Sequence, residues 1–457
     1  VIALVFLLLM LALAIVLTVT GQGTTVGLTE LLVISLVFMV FFLSGIYVAA
    51  ALGMLALFSD LAFSTRPIHE FTGQVVWTAS INFVLVAVPL FLLMSEILLR
   101  SGLSDRLYRA LNTWVGGLPG GLLHTNIASC AVFSAVCGSS VATAATIGSV
   151  ALPYFEQTKY DQKMVLGSLA AGGALGNLIP PAISFLLYGL LTETSVGKLY
   201  AGGFVAGFIV AGLCMVYILL HSLVSRTREA FPSVPWRQRL GSLVDLAPTL
   251  FLVFLVLGTI YLGVATPTEA AALGVVGALL LAALYGQLNL AMVYTSVRAT
   301  ARATSFIGLI IVSAFVLNFV LSSIRLPQTL AAMVAELPFP PWVIMAIIVL
   351  FYIALGTFME GFSMMITTLP VVFPIVMALG YDPVWFGVIL VMLVEVAIIS
   401  PPDGMVMYVL QGMRIRPGPI TDVFVGVLPF LAIYILSVLI FFVFPDVVLW
   451  LPRLVVQ

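Results

Sequence analysis

Two apolar runs of the sequence carry residues that lipid would penalise. GALGNLIPPAISFLLYG, residues 173–189, holds Asn177 close to Pro180 and Pro181. VAIISPPDGMVMYV, residues 396–409, holds Ser400, Pro401, Pro402 and Asp403. Proline has no N–H and clashes with the carbonyl four residues back. Pro180 and Pro181 are therefore expected to release the carbonyls of Gly176 and Asn177, and Pro401 and Pro402 those of Ala397 and Ile398. In a medium without water, such carbonyls need a hydroxyl, a trapped water or a bound cation. Half-helix N-termini carry free N–H groups and partial positive charge, which suit a carboxylate. The chemistry these residues fit is the binding of an anion together with cations.

Small and acidic residues extend the set. Gly138-Ser139-Ser140 and Glu360-Gly361 interrupt two other apolar stretches, residues 122–157 and 342–378. Gly138-Ser139-Ser140 fits a ligand-facing tip better than a helix-packing patch, whereas Gly172-x-x-x-Gly176 fits close packing of helices. Glu360 and Asp403 are expected to be buried acids, and an ionisable group inside a membrane segment points to function. Glu395, six residues before Pro401, either pairs within the bundle or serves the site; its position leaves both open. Glu96 and Arg100 have the i, i+4 spacing of an interfacial ion pair. Cys130, Cys137 and Cys214 lie in apolar runs without CxxC spacing and read as small core residues. His69, His124 and His221 are scattered, and no His, Cys or carboxylate cluster has metal-ligand spacing.

The elements that must hold these residues follow from composition. The chain has 457 residues, 63% hydrophobic and 8% charged, with net charge −1. A soluble chain would be about a quarter charged. The class is an all-α polytopic membrane protein set in a lipid bilayer, and the charge gives no reason to expect nucleic acid. A straight helix over 122–157 or 342–378 would overrun a hydrocarbon core of about 30 Å at about 1.5 Å per residue. A re-entrant helical hairpin fits each better, because non-helical backbone at that depth is tolerated where protein surrounds it.

A shift of 221 residues aligns the chain with itself. AAALG at 49–53 falls on AAALG at 270–274, Pro153 on Pro374, Tyr160-Asp161 on Tyr381-Asp382, and Pro180-Pro181 on Pro401-Pro402. The chain therefore reads as two copies, 28–224 and 245–445, joined by a cytoplasmic linker at 225–244. Each copy holds a hairpin (122–157, 342–378) and a Pro-Pro broken helix (163–191, 384–410). Spans are also expected at 28–44, 46–63, 75–99 and 200–224, and at 245–263, 268–285, 303–324 and 422–445. Five crossings per copy is an odd number, so the copies form an inverted structural repeat. With the N-terminus cytoplasmic and the C-terminus periplasmic, only Arg66, Lys198, Arg325 and Arg453 of the 17 Lys and Arg lie outside. That is a strong positive-inside signal. Residues 1–20 read as an additional N-terminal transmembrane helix rather than a signal peptide, since no A-x-A-like cleavage site follows.

The motifs resemble the large membrane subunit of TRAP (tripartite ATP-independent periplasmic) transporters. FSAVCGSSVATAATIGSVALP with the following YD, GGALGNLIPPAISFLLYG, VPLFLLMSEILLRSG, TPTEAAALG, GTFMEGFSMMITTLPVVFPI and LGYDPVWFGV carry the resemblance. It covers about residues 28–445. It implies an elevator-type secondary transporter of the bacterial inner membrane that takes up an organic acid, such as sialic acid or a dicarboxylate, with sodium as coupling ion. It also implies two partners: a periplasmic substrate-binding protein and a small four-helix membrane subunit, to which the helix at 1–20 could be a fused joint. The first sodium site would draw on Ser139, Ser140, Gly173, Gly176 and Asn177. The second would draw on Gly356, Thr357, Glu360, Ser400 and Gly404. Substrate would meet Ser140, Pro181, Ser184, Gly361, Ser363, Pro402 and Asp403. Ser400 stands where the family usually has threonine, Asp403 where it has an apolar residue, and Glu360 where it has aspartate. One rival is a stand-alone sodium/carboxylate symporter of the divalent-anion family, which carries Ser-Asn-Thr at both tips; here the tips read Gly-Ser-Ser and Met-Glu-Gly. An intramembrane enzyme would need a catalytic set within a span or a long loop domain, and neither is evident.

The inverted repeat makes a topological prediction. In a Cys-free background, Lys198→Cys should react with an impermeant thiol reagent in intact cells, whereas Lys159→Cys and Arg237→Cys should not. The reverse pattern would overturn the orientation.

Overall fold

A helix in hydrocarbon satisfies its own backbone, so a chain this apolar is built from helices and short breaks. The computed structural model describes residues 33–455 apart from 35, 39, 42–44, 65–67, 157 and 226–233. Among them there is no strand. The expected helix at 1–20 and most of the span at 28–44 lie outside the described residues. Seven described helices are long and apolar enough to cross a membrane: Phe83–Arg100, Val196–Val224, Trp236–Tyr261, Pro267–Leu284, Leu290–Ser323, Gly361–Ala378 and Thr421–Val443.

The expected breaks are present. Leu122–Cys137 and Ser140–Phe155, 16 residues each, meet at Gly138-Ser139. A helix of that length rises roughly 24 Å, short of a full crossing. Pro341–Leu355 and Gly361–Ala378 are divided by 356–360. Gln162–Ala174 passes through a 3-10 turn, Leu175–Asn177, and resumes as Ile183–Thr192. Pro383–Ile399 stops at Ser400 and resumes as Met405–Met413. Pro180-Pro181 and Pro401-Pro402 are both cis.

Other elements differ from expectation. The span expected at 75–99 is divided into Thr72–Ser80, a 3-10 turn Phe83–Val86, and Ala87–Arg100. The Asn82 side chain accepts a hydrogen bond from Val84 N at 3.0 Å, a local turn that competes with the helix. Leu290–Ser323 instead runs unbroken for 34 residues. The helix after the linker begins at Trp236, inside 225–244, with Pro235 capping it. Leu103–Val115 and Asp446–Val455 are additional short helices with polar faces.

The chain forms two compact units. The smaller comprises residues up to Leu85, Ala303–Ile347 and Met365–Asp382. There the Asp60 carboxylate accepts from Ile68 N at 2.9 Å, and the Phe71 and Phe319 rings lie 5.6 Å apart.

The larger unit comprises Val86–Arg302, Ile348–Met364 and Pro383–Gln457, and it carries the candidate site. Apart from Glu395, Pro383–Ile399 is hydrophobic all round, and every residue from Val384 to Ile399 is buried, as befits a core helix. Polar bonds tie the surrounding helices together. Tyr434 Oη donates to the Ala171 carbonyl at 2.8 Å, Tyr108 Oη donates to Asn126 Oδ1 at 2.8 Å, and Asn126 Nδ2 donates to Ser168 Oγ at 2.9 Å. Gln162–Ala174 packs on Thr421–Val443 through glycines. A Cβ on Gly426 would lie 2.0 Å from the Lys163 carbonyl oxygen, and one on Gly167 2.1 Å from that of Gly426.

That approach leaves no room for a methyl group. Gly426→Ala should destabilise the purified protein by about 1–3 kcal/mol, read as a lower thermal midpoint. Gly412→Ala, whose added Cβ would meet nothing within 4 Å, should be nearly silent. Equal effects would show that the helix contact is not tight.

Candidate functional site

The first break is closed by the hairpin tip. Gly138 has φ +67°, a left-handed conformation that favours glycine, and a Cβ there would lie 2.2 Å from the Pro181 carbonyl oxygen. Ile183 N donates to the Gly138 carbonyl at 3.4 Å. A Cβ on Gly176 would meet the Ser139 carbonyl and Ser140 Cα at 2.5 Å, and one on Gly173 would meet Ala144 Cβ at 2.6 Å. Ser139 caps the returning helix, its hydroxyl accepting from Ala142 N at 3.4 Å. The structure thus gathers Ser139, Ser140, Gly173, Gly176, Asn177 and Pro181 at one place.

A chain of hydrogen bonds crosses that place. Asn177 N donates to Ser140 Oγ at 3.0 Å, and Ser140 Oγ donates to Glu395 Oε2 at 2.7 Å. The Asn177 side-chain amide stands beside the same carboxyl. Glu395 is 0% exposed, and Ser140 and Asn177 are buried with it. Asn177 Oδ1 and Glu395 Oε1 have no hydrogen-bond partner. Buried oxygens of this kind fit a hard cation, which takes oxygen ligands.

The second break is closed differently. A Cβ on Gly356 would lie 2.7 Å from Ala397 Cβ, and one on Gly361 2.6 Å from Val394 Cγ1. Glu360 caps its returning helix: its carboxylate accepts from Phe362 N at 3.1 Å, and from Ser363 N and Ser363 Oγ at 2.9 Å each. Ser139 and Glu360 stand 221 residues apart and perform the same capping. The carbonyl expected to be released at Ala397 accepts from Ser400 N at 3.2 Å, because the chain tightens into a turn at the break. The Ser400 hydroxyl donates to the Val396 carbonyl at 2.7 Å, and Gly404 N donates to the Ser400 carbonyl at 2.9 Å. The Thr357 hydroxyl donates to the Ala354 carbonyl at 2.7 Å. Each hydroxyl keeps lone pairs for a ligand.

The residues expected to meet substrate fall into two groups. Ser140, Pro181, Ser184, Gly361 and Ser363 are buried, and Ser184 Oγ has no partner. Pro402 and Asp403 are exposed. Asp403 is therefore not the buried acid expected from the sequence: it lies in the turn between the two half-helices. Among the described residues, no group of three or more His, Cys, Asp or Glu is placed to hold a metal ion.

Glu395 is the residue whose role the sequence left undecided. It lies 221 residues after Ala174, whose carbonyl is 3.4 Å from Ser140 Oγ. The 221-residue shift read from the sequence aligns these two positions.

Residues 35–447 match the family model described as "Tripartite ATP-independent periplasmic transporter, DctM component". The chain belongs to that family. It is a large permease subunit of a TRAP transporter, a multi-pass membrane protein and not an enzyme. A C4-dicarboxylate TRAP transporter large permease protein of Pseudomonas aeruginosa is 32% identical over 404 residues, covering 88% of this chain and 94% of its own. The isethionate TRAP transporter permease protein DctMQ of Oleidesulfovibrio alaskensis is 30% identical, covering 82% of this chain and 59% of its own. Among solved structures, the YdaH transporter of Alcanivorax borkumensis is similar with TM-score 0.50 and 16% identity, covering 96% of each chain. That likeness concerns the fold alone.

Ser140 is donor in one bond of this DctM-family site and acceptor in another. Ser140→Ala should cost about 1–3 kcal/mol, measured as lost thermal stability. Combined with Glu395→Gln, the total should fall short of the sum by about 0.5–3 kcal/mol, because both residues serve one bond. Strictly additive losses would show that the bond does not form.

Proposed function

We propose that this permease subunit drives sodium-coupled uptake of a small organic acid delivered by a periplasmic binding protein. The observation that carries the reading is that one tip hydroxyl, Ser140 Oγ, bonds to both broken helices, through Asn177 N and Glu395 Oε2. Hairpin tips held against interrupted helices suit a site that binds ions and substrate together near the midplane.

Sodium is cargo here. Its first site uses Ser139, Ser140, Gly173, Gly176 and Asn177, whose unpartnered Oδ1 supports the assignment. Its second uses Gly356, Thr357, Glu360, Ser400 and Gly404. Substrate meets exposed Asp403 and Pro402 first, then Ser140, Pro181, Ser184, Gly361 and Ser363 as the site opens. The two relatives named above, for a C4-dicarboxylate and for isethionate, point to organic anions as the class. The protein sits in the bacterial inner membrane, N-terminus cytoplasmic and C-terminus periplasmic, as two inverted copies working as an elevator. A small four-helix membrane subunit completes it. The relative named DctMQ is longer than this chain and fits a fusion of such a subunit to the permease.

Reconstitution with the binding protein and the small subunit tests this. Uptake into proteoliposomes should require both partners and should vanish when choline replaces sodium at fixed pH. Uptake by this chain alone would favour the stand-alone symporter. Full uptake driven by a pH gradient without sodium would overturn sodium coupling.

A further inference from the structure

Resting on the sodium-coupled reading, we propose that Glu395 is the anionic ligand of the first sodium site, reached from the other copy of the repeat. The direction of the hydrogen bonds carries the argument. The Asn177 backbone N–H can only donate, so Ser140 Oγ accepts it at 3.0 Å. The single Ser140 hydroxyl hydrogen then has two oxygens in reach, Glu395 Oε2 at 2.7 Å and the Ala174 carbonyl at 3.4 Å. The shorter bond takes it. Glu395 Oε2 is thus an acceptor.

Glu395 is 0% exposed. Among the described residues, the ion pairs formed by Lys and Arg leave it out. Its Oε1 is unpartnered, as is Asn177 Oδ1, while the Asn177 side-chain amide lies within hydrogen-bonding reach of the carboxyl. An ionised carboxylate oxygen can only accept, so Oε1 needs a donor or a cation. A buried carboxylate also needs a compensating charge. A desolvated sodium ion meets both needs, since a hard cation gathers several oxygens.

The assignment couples the two copies. Glu395 lies on the second broken helix, while Ser140 and Asn177 lie on the first hairpin and the first broken helix. Its neighbour Val394 touches Gly361 at the second tip. Loading the first site therefore fixes the helix turn that also backs the second tip.

Thermal unfolding of the purified full-length transporter, with sodium titrated against choline at constant ionic strength, tests the ligand without measuring transport. The wild type should be stabilised saturably by sodium. Glu395→Gln, which keeps the shape and removes the charge, should raise the half-saturating sodium concentration by about tenfold or more, near 1.4 kcal/mol. Glu395→Asp should fall between the two. Should Glu395→Gln not fold, Asn177→Ala leaves the carboxylate in place, removes the second oxygen, and should raise the half-saturation point likewise. A sodium-responsive wild type whose Glu395→Gln or Asn177→Ala variant keeps the same half-saturation point overturns this inference and leaves sodium coupling standing. A wild type indifferent to sodium overturns both.

Discussion

An interrupted helix inside an apolar medium must find partners for its freed backbone groups within the protein. Most of the larger unit's design follows from that requirement. At the first break the Gly138 carbonyl accepts from Ile183 N, and glycine is needed at 138 because the Pro181 carbonyl stands where a Cβ would go. At the second, Ser400 and Gly404 close a turn on themselves. The returning helix of each hairpin begins with a side-chain cap, Ser139 in one and Glu360 in the other. The freed groups named here are thus met within the protein.

The two breaks reach the same contact with opposite distributions of bulk. In the first, glycines sit on the broken helix, Gly173 and Gly176, and the tip presents serine. In the second, glycines sit on the tip, Gly356 and Gly361, and the broken helix presents Val394 and Ala397. The closeness is preserved because only one partner need be small. The polar groups divide accordingly. The first tip offers a buried hydroxyl, Ser140, whereas the second offers the carboxylate of Glu360, engaged at its own helix N-terminus.

The breaks were legible because proline and small residues act locally. Pro180-Pro181, Pro401-Pro402 and Gly138-Ser139 mark them without reference to anything distant. The burial of Cys130, Cys137 and Cys214 and the ion pair of Glu96 with Arg100 were likewise readable from neighbours along one helix. Glu395 was not, because its partner Ser140 lies 255 residues away and only packing brings them together. Asp403 was misplaced because its surroundings read as apolar, yet it falls on the turn itself. Leu103–Val115 is half polar and carries no long apolar run; its signal in the sequence is the Asp105–Arg109 pair at i, i+4.

Bonds between the halves bear on the elevator proposal, which needs the moving part to travel as one body. Within the larger unit, Tyr434 bonds to Ala171, Tyr188 Oη to the Pro383 carbonyl at 2.7 Å, and Arg416 to the Thr158 carbonyl at 3.1 Å. The glycine contact of Gly167 with Gly426 and the bond of Ser140 to Glu395 join the same halves. Neither broken helix can shift far without breaking contacts to the helices packed against it. Separate gating of the two clamps would therefore cost several bonds at once, whereas movement of the unit as a whole costs none of them. A charge-compensating ion at Glu395 would strengthen the innermost of these links, so that the loaded unit is also the better-knit one.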